Sequence, residues 1–412
     1  MATKIEAVEE PGAAGRADAA VGVSFACLGY LLGGLGGCLI LLSRDLAVPR
    51  GELAWLSAGF GVALLVVGGG GRAVLHLGAA RLLVVGCLGL AAGSALLALA
   101  PAVLPAQAGA LLIGVGGAGV VLAAPALITG AGVAARLTRV NAASSLAGVG
   151  APVLLGAIDR LTGHGRLALL APVPALLWLL LRLRRAPLHP LPPELPVSPG
   201  VHEHVPPFQV AVRWLAIVAA VCPEFAFLVW GAARLKDSGL SEAGAAAAAV
   251  AFPIGMGLGR LAGPRSLGRL SAVGVGVTLA VAGTLLVTAP VGPALVAVGM
   301  TAAGLGISAL YPVAQARLVE TPGLGLRRGS ALATVASGVA VLGAPLALEQ
   351  NRRRDGAAHG LPGRHPGAAG GGPGAAAGEG AAAPGGRHFF LGLAPPLFQS
   401  RYQPHSPRTS FS

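Results

Sequence analysis

The stretch Gly68–Arg81, GGGGRAVLHLGAAR, decides the fold, because its plan recurs downstream. Its Gly71-Arg72 pair precedes Arg81 as Gly259-Arg260 precedes Arg269 in GRLAGPRSLGR (259–269); 260 − 72 and 269 − 81 both give 188. Each copy ends one long apolar run and begins another. Basic residues in a short loop between apolar runs mark a cytoplasmic turn between membrane helices. A repeat at about half the chain length is the pattern of a two-half helical membrane protein built from parallel repeats.

Composition agrees. Hydrophobic residues make up 54% of the 412 and charged residues 11%, against roughly a quarter charged in soluble domains. So few charges cannot cover a globular surface of this size, and the chain must meet a lipid bilayer. The net charge of +13 sits mainly in short loops and the tail, with aromatic residues at only 4%, so it reads as anchoring charge with no nucleic-acid partner. Cys27, Cys38, Cys87 and Cys222 lie singly within apolar runs and form no C-x-x-C, which makes them packing residues. His202-Glu203-His204 has no partner Cys or Asp nearby, and no metal or other cofactor is expected. The opening residues carry Glu6, Glu9, Glu10 and Asp18 ahead of the first apolar run, unlike a secretory signal.

A membrane helix needs about 20 mostly apolar residues. Segments are expected at 20–43, 53–70, 82–100, 107–129, 141–159 and 166–183, then at 208–232, 242–262, 271–289, 292–315 and 329–348. The fold class is therefore all-α integral membrane, a two-half bundle with 11 predicted spans. Its domains are a cytoplasmic N-terminal tail (1–19), a six-helix half (20–183), a Pro-rich cytoplasmic loop (184–207), a five-helix half (208–348) and a disordered tail (349–412). With the N-terminus inside, the first half places Arg72, Arg81, Arg136, Arg139, Arg182, Arg184 and Arg185 on the cytoplasmic side, against Arg44, Arg50, Arg160 and Arg166 outside.

The repeat reaches into the helices. Gly117, Gly119 and Pro125 are matched by Gly304, Gly306 and Pro312, and Gly150-Ala151-Pro152 by Gly343-Ala344-Pro345. Gly29, Gly33 and Gly37 share one helix face, where a second helix can approach closely. Gly114–Gly119 matches G-x-G-x-x-G, yet it follows no strand and has no acidic residue about 20 positions on, so it is not a nucleotide site.

These features resemble the major facilitator superfamily of transporters, whose loop between helices two and three runs G-x-x-x-D-R-x-G-x-x-R. Gly71, Gly78 and Arg81 match, whereas Leu75 and His76 stand in the places of its Asp and Arg. The resemblance implies gating loops made of Gly71, Arg72, Gly78 and Arg81 and of Gly259, Arg260 and Arg269. It implies that the Asp latch is lost or supplied elsewhere. Residues 222–263 and 304–317 are similar to bacterial members grouped with a sugar-permease-like branch, which places the chain in the plasma membrane as a monomer. The family has a twelfth helix after residue 350, where this sequence turns to Gly, Pro, Ala and Arg; a polar tail or a shifted reading frame in a GC-rich gene would each produce that.

Charged side chains within a span are costly and mark function. Glu224, after Pro223 in the seventh segment, is the first candidate for binding a proton or a substrate. Tyr30, Trp230, Tyr311, Gln315, Thr334 and Ser337 follow it as polar groups within apolar segments. Asn141, Ser144 and Ser145 are assigned to capping and packing, and Asp159 and Arg160 to an outer helix end in water. The function expected is a secondary transporter of a small-molecule substrate, coupled to protons and not an enzyme. The alternative is a transporter-like membrane protein that does not transport: a sensor, an assembly factor or a remnant.

Overall fold

The computed structural model describes residues 11–48, 50–129, 132–185, 188, 206–262 and 270–358. Those residues form helices and connecting turns and contain no strand. The first half comprises α1 (Pro11–Asp45), α2 (Arg50–Gly69), α3 (Gly71–His76), α4 (Ala79–Leu99), α5 (Val103–Leu127), α6 (Val133–Thr162) and α7 (Pro172–Arg185), with a 3₁₀ turn at Gly165–Leu170 before α7. The second comprises α8 (Pro207–Asp237), α9 (Glu242–Ala248), α10 (Ala251–Ala262), α11 (Leu270–Thr288), α12 (Pro293–Ile307), α13 (Leu310–Val319) and α14 (Leu326–Ala358).

Every expected segment falls on helix. Within the described residues, seven spans are long and apolar enough to cross a bilayer: Gly15–Asp45, Ala79–Leu99, Val103–Leu127, Val133–Thr162, Gly165–Arg185, Pro207–Leu228 and Pro293–Val319. The structure is that of a multi-pass membrane protein, without fixing the number of crossings at eleven.

Helix ends differ from the apolar boundaries for a simple reason: helix propensity does not stop where hydropathy does. α1 begins at Pro11, inside the expected tail, because proline suits the first helical turn and alanines follow it. There Asp18 accepts from Arg136 of α6 at 2.6 and 2.8 Å. α14 runs on to Ala358, ten residues past 348, through EQNRRRDGAA, in which the helix formers Glu, Gln, Arg and Ala outnumber Asn351, Asp355 and Gly356. The remainder of the expected tail, most of the central loop with His202-Glu203-His204, and Arg269 lie outside the described residues.

Two expected spans are broken in the second half, at Ala249–Val250 and at Ser308–Ala309. Each break lies just ahead of a proline, Pro253 or Pro312, which has no amide hydrogen to return to the carbonyl four residues back. For Pro312 that carbonyl is Ser308 O.

Glycine sets the closest helix approaches. A Cβ added at Gly29 or Gly33 would overlap the backbone carbonyl oxygen of Ser144 or Gly148, so α1 and α6 meet backbone to backbone. The expectation for that glycine face is met, and a Cβ added at Gly37 would come within 3.2 Å of Leu155 Cδ1. Between the halves, α2 lies along α14 and α6 along α10.

Candidate functional site

A cavity of about 840 Å³ lies between the two halves. α1, α2, α5 and α6 wall it on one side and α8, α10, α13 and α14 on the other. Most of the wall is hydrocarbon, including Phe25, Leu28, Phe60, Phe225 and Met256. Four charged residues line it: Glu224 and Arg260, and at the end of α6, Asp159 and Arg160.

Arg260 is the centre of the polar part. Its side chain is 3% exposed, and Nε donates to Ser308 O at 3.0 Å, the carbonyl that Pro312 leaves free. Nη1 crosses to the first half, donating to Asn141 O at 3.2 Å and to Ser145 Oγ. Nη2 faces Glu224, 3.3 Å from Oε2 and 3.5 Å from Oε1. One guanidinium thus ties α10, α6, α8 and the α12–α13 break together. Its rigid planar fork suits that task as a lysine ammonium would not.

The sequence reading placed Arg260 in a cytoplasmic gating loop, and the structure corrects this. Arg260 lies within α10, four residues beyond buried Met256 and eight beyond buried Phe252, on the face that packs inward. The glycines of the two repeats do correspond: a Cβ at Gly71 would come within 2.8 Å of Ala331 Cβ, and one at Gly259 within 2.8 Å of Leu305 O. The arginines do not, since Arg72 on α3 and Arg81 in the first turn of α4 are exposed. Gly78 holds a φ of +103° at the turn into α4, which needs glycine.

Of the other candidates, Glu224, Tyr311 and Ser337 line the cavity. Tyr30 does not; its hydroxyl donates to Ala168 O at 2.9 Å and packs α1 against the 3₁₀ turn. Trp230 joins the core of the second half with Phe227 and Phe252. Thr334 donates to Ser330 O at 2.9 Å. Gln315 is buried behind Tyr311, its Nε2 without an acceptor among the described residues. Asn141, Ser144 and Ser145 do not cap, because α6 starts at Val133 and they lie beyond its second turn; Ser144 packs against Gly29 as expected, and all three line the cavity, which the sequence reading missed.

Where the family resemblance has an Asp, Leu75 is 1% exposed, in an apolar cluster with Ala79, Leu122, Ala126 and Ala331. Ala331 belongs to α14, so the cluster joins the halves. Beside it, Arg327 Nη1 lies 2.9 Å from His76 Nδ1. Among the described residues, the halves therefore close at this end through hydrocarbon, with the Arg327–His76 contact beside it. At the far end, Asp159 accepts two bonds from Arg44, at 2.8 and 2.9 Å, within the first half. Leu75→Ala is expected to remove about 2–5 kcal/mol of packing, part of it between the halves. A membrane-impermeant maleimide should then label Ser337→Cys faster from the α3 side, in a chain with Cys222→Ala; unchanged labelling would show that Leu75 does not hold the seam.

No family model matches the chain, and no curated protein does. Solved structures do. The transporter FucP in the outward conformation is similar with a TM-score of 0.64 and 15% identity, covering 82% of this chain and 92% of that one. The proton:xylose symporter XylE, bound to 6-bromo-6-deoxy-D-glucose, gives 0.63 at 15% identity over 85% and 91%. The human organic anion transporter MFSD10 gives 0.60 at 17% identity over 82% and 93%. Likeness at such identities establishes architecture, and the chain has the fold of the major facilitator superfamily transporters.

Proposed function

We propose that this chain is a secondary transporter of a small solute, works by alternating access, and couples transport to protons at Glu224. One observation carries the reading: a solute-sized cavity lies between two halves, and its wall holds an ion pair of buried Arg260 with partly buried Glu224. A protein that only spanned the membrane would gain nothing from burying Glu224 and Arg260 there, because charges in a span are costly. The Arg260 bonds to Asn141 and Ser145 are contacts that must part if the halves rock. The N-terminus inside, the plasma membrane and a monomeric state complete the reading, with the cavity mouth near Asp159 and Arg160 facing outward.

FucP and XylE are described as proton symporters, and MFSD10 as an organic anion transporter, so the shared fold supports transport without choosing a solute. The missing Asp of the gating motif loses its weight as a sign of an inactive remnant, because Leu75 supplies an apolar seam in its place.

The test is proteoliposome uptake with Glu224→Gln. Gln keeps the shape and cannot release a proton. Proton-driven accumulation should vanish while solute exchange down its own gradient persists. Accumulation retained in the variant would reduce Glu224 to a packing residue. Failure of the folded wild-type chain to move any sugar, nucleoside or organic anion would overturn the transporter reading.

A further inference from the structure

Resting on that reading, we propose that the solute is an organic anion with an apolar body, which takes the Arg260 guanidinium from Glu224 as Glu224 takes a proton. Four observations lead there. The first is the looseness of the pair. Charge-assisted N–H···O bonds usually run about 2.7–2.9 Å, yet Nη2 stands 3.3 and 3.5 Å from the two Glu224 oxygens. The other two guanidinium nitrogens are held by carbonyl oxygens and Ser145, which keeps the group in place when Glu224 lets go. Nη2 is thus an anchored donor, with a weakly bound carboxylate in front of it.

The second is charge balance. Glu224 and Arg260 together are neutral. A monoanion alone would leave one negative charge in a largely apolar cavity, and a proton alone would leave one positive charge. Anion and proton together restore neutrality: the proton sits on the Glu224 carboxyl, and the anionic oxygen accepts from Nη2. Binding of each therefore favours the other. The groups facing Glu224 allow this. Arg260 of α10 contacts it, and the other polar groups lining the same cavity are Tyr311 of α13, Asn141, Ser144 and Ser145 of α6 and Ser337 of α14. No second carboxylate near the pair competes for the proton among the lining residues, since Asp159 lies at the far end of α6, clamped by Arg44.

The third is the shortage of partners for a polyol. Asn141 Nδ2 donates to Leu137 O at 2.9 Å and Ser337 Oγ to Ala333 O at 3.1 Å, each to its own helix. Ser145 Oγ already accepts from Arg260. A sugar would bring many hydroxyls to walls that are mostly hydrocarbon and to polar groups already partly engaged, and each one left unpaired costs binding. An apolar body fits the hydrocarbon walls instead. The fourth lies at the α6 end of the cavity, where Arg160 is exposed on the wall and Asp159 is already paired, so that end favours anions.

Sulfonates test this because they stay ionised, so any proton taken up on binding belongs to the protein. Purified full-length chain is titrated with methanesulfonate, benzenesulfonate and naphthalene-2-sulfonate, and with the neutral sulfonamides of the same bodies. Calorimetry near neutral pH in two buffers of different ionisation enthalpy counts the protons. The larger sulfonates should bind at least about tenfold tighter than their sulfonamides, with close to one proton taken up. Glu224→Gln mimics the protonated carboxyl; it should bind the sulfonates as tightly or more so, with no proton uptake. Arg260→Gln should lose the preference for the charged form. Equal binding of sulfonamides, no binding of any sulfonate, or sulfonate binding without proton uptake in the wild type would each overturn the proposal. Proton-driven uptake of a neutral sugar would sink the anion assignment and leave the transporter reading standing. Sulfonate binding as expected, with no flux of any solute, would do the reverse.

Discussion

Arg260→Gln should abolish proton-driven accumulation and destabilise the protein together. The variant removes the bonds to Ser308 O, Asn141 O, Ser145 Oγ and Glu224 at once and leaves the Glu224 carboxylate facing an apolar cavity. Removing one partner of a buried pair costs about 3–5 kcal/mol. The cost here should fall near the lower figure, because Glu224 keeps 17% of its side chain exposed. Arg260→Lys keeps the charge but cannot reach Ser308, α6 and Glu224 together, so it should recover part of the stability and little of the transport. In the double variant with Glu224→Gln, the stability losses should sum to less than the two single losses, since no carboxylate is left stranded. Melting temperature in detergent and uptake in proteoliposomes read both effects. A folded, fully active Arg260→Gln chain would make Arg260 a bystander and remove the basis for coupling at Glu224.

The second large effect is expected at Gly33. A Cβ there meets the carbonyl oxygen of Gly148, which is backbone and cannot swing aside as a side chain could. Gly33→Val must push α1 and α6 apart along their whole seam, lifting Ser144 away from Gly29 as well. The penalty should exceed the roughly 1–3 kcal/mol of ordinary overpacking, and little folded protein should survive purification. Gly22→Ala on the same helix is the control. Nothing lies within 4 Å of a Cβ at Gly22, and removing a helical glycine should stabilise by about 0.5–1 kcal/mol. Comparable folded yields for Gly33→Val and the wild type, measured by size-exclusion chromatography, would show that the α1–α6 approach is not fixed by these glycines.

Helix placement was legible because a span announces itself by apolar length, and every segment expected on that ground lies on helix. Helix ends were less so. Asn141 looked like a capping residue only because the apolar run starts near it, whereas α6 begins at Val133, and Arg136 and Arg139 interrupt the hydropathy without interrupting the helix. Arg260 was hidden for a related reason. An arginine near the end of an apolar run is usually an anchoring charge, and the matching Gly-Arg pair at Gly71-Arg72 reinforced that view. The signal against it was local: Phe252, Met256 and Arg260 recur at four-residue spacing, which puts the arginine on the inward face of α10. Pro312 was a second clue, since the carbonyl it frees needs a donor, but nothing in one sequence says which donor arrives. Tyr30 and Trp230 stand out in the sequence only as polar groups within apolar segments, and each packs within its own half.

The seam built from Leu75, Leu122 and Ala331 has a thermal consequence. A carboxylate latch is loosened by ionic strength, because added salt screens its charges. A hydrocarbon seal is nearly indifferent to salt but carries a heat capacity, and burial of apolar surface weakens on cooling. The balance between the two faces of this protein should therefore follow temperature more than salt. In the cold, the closed end should part more readily, and the resting population should drift towards the opposite opening.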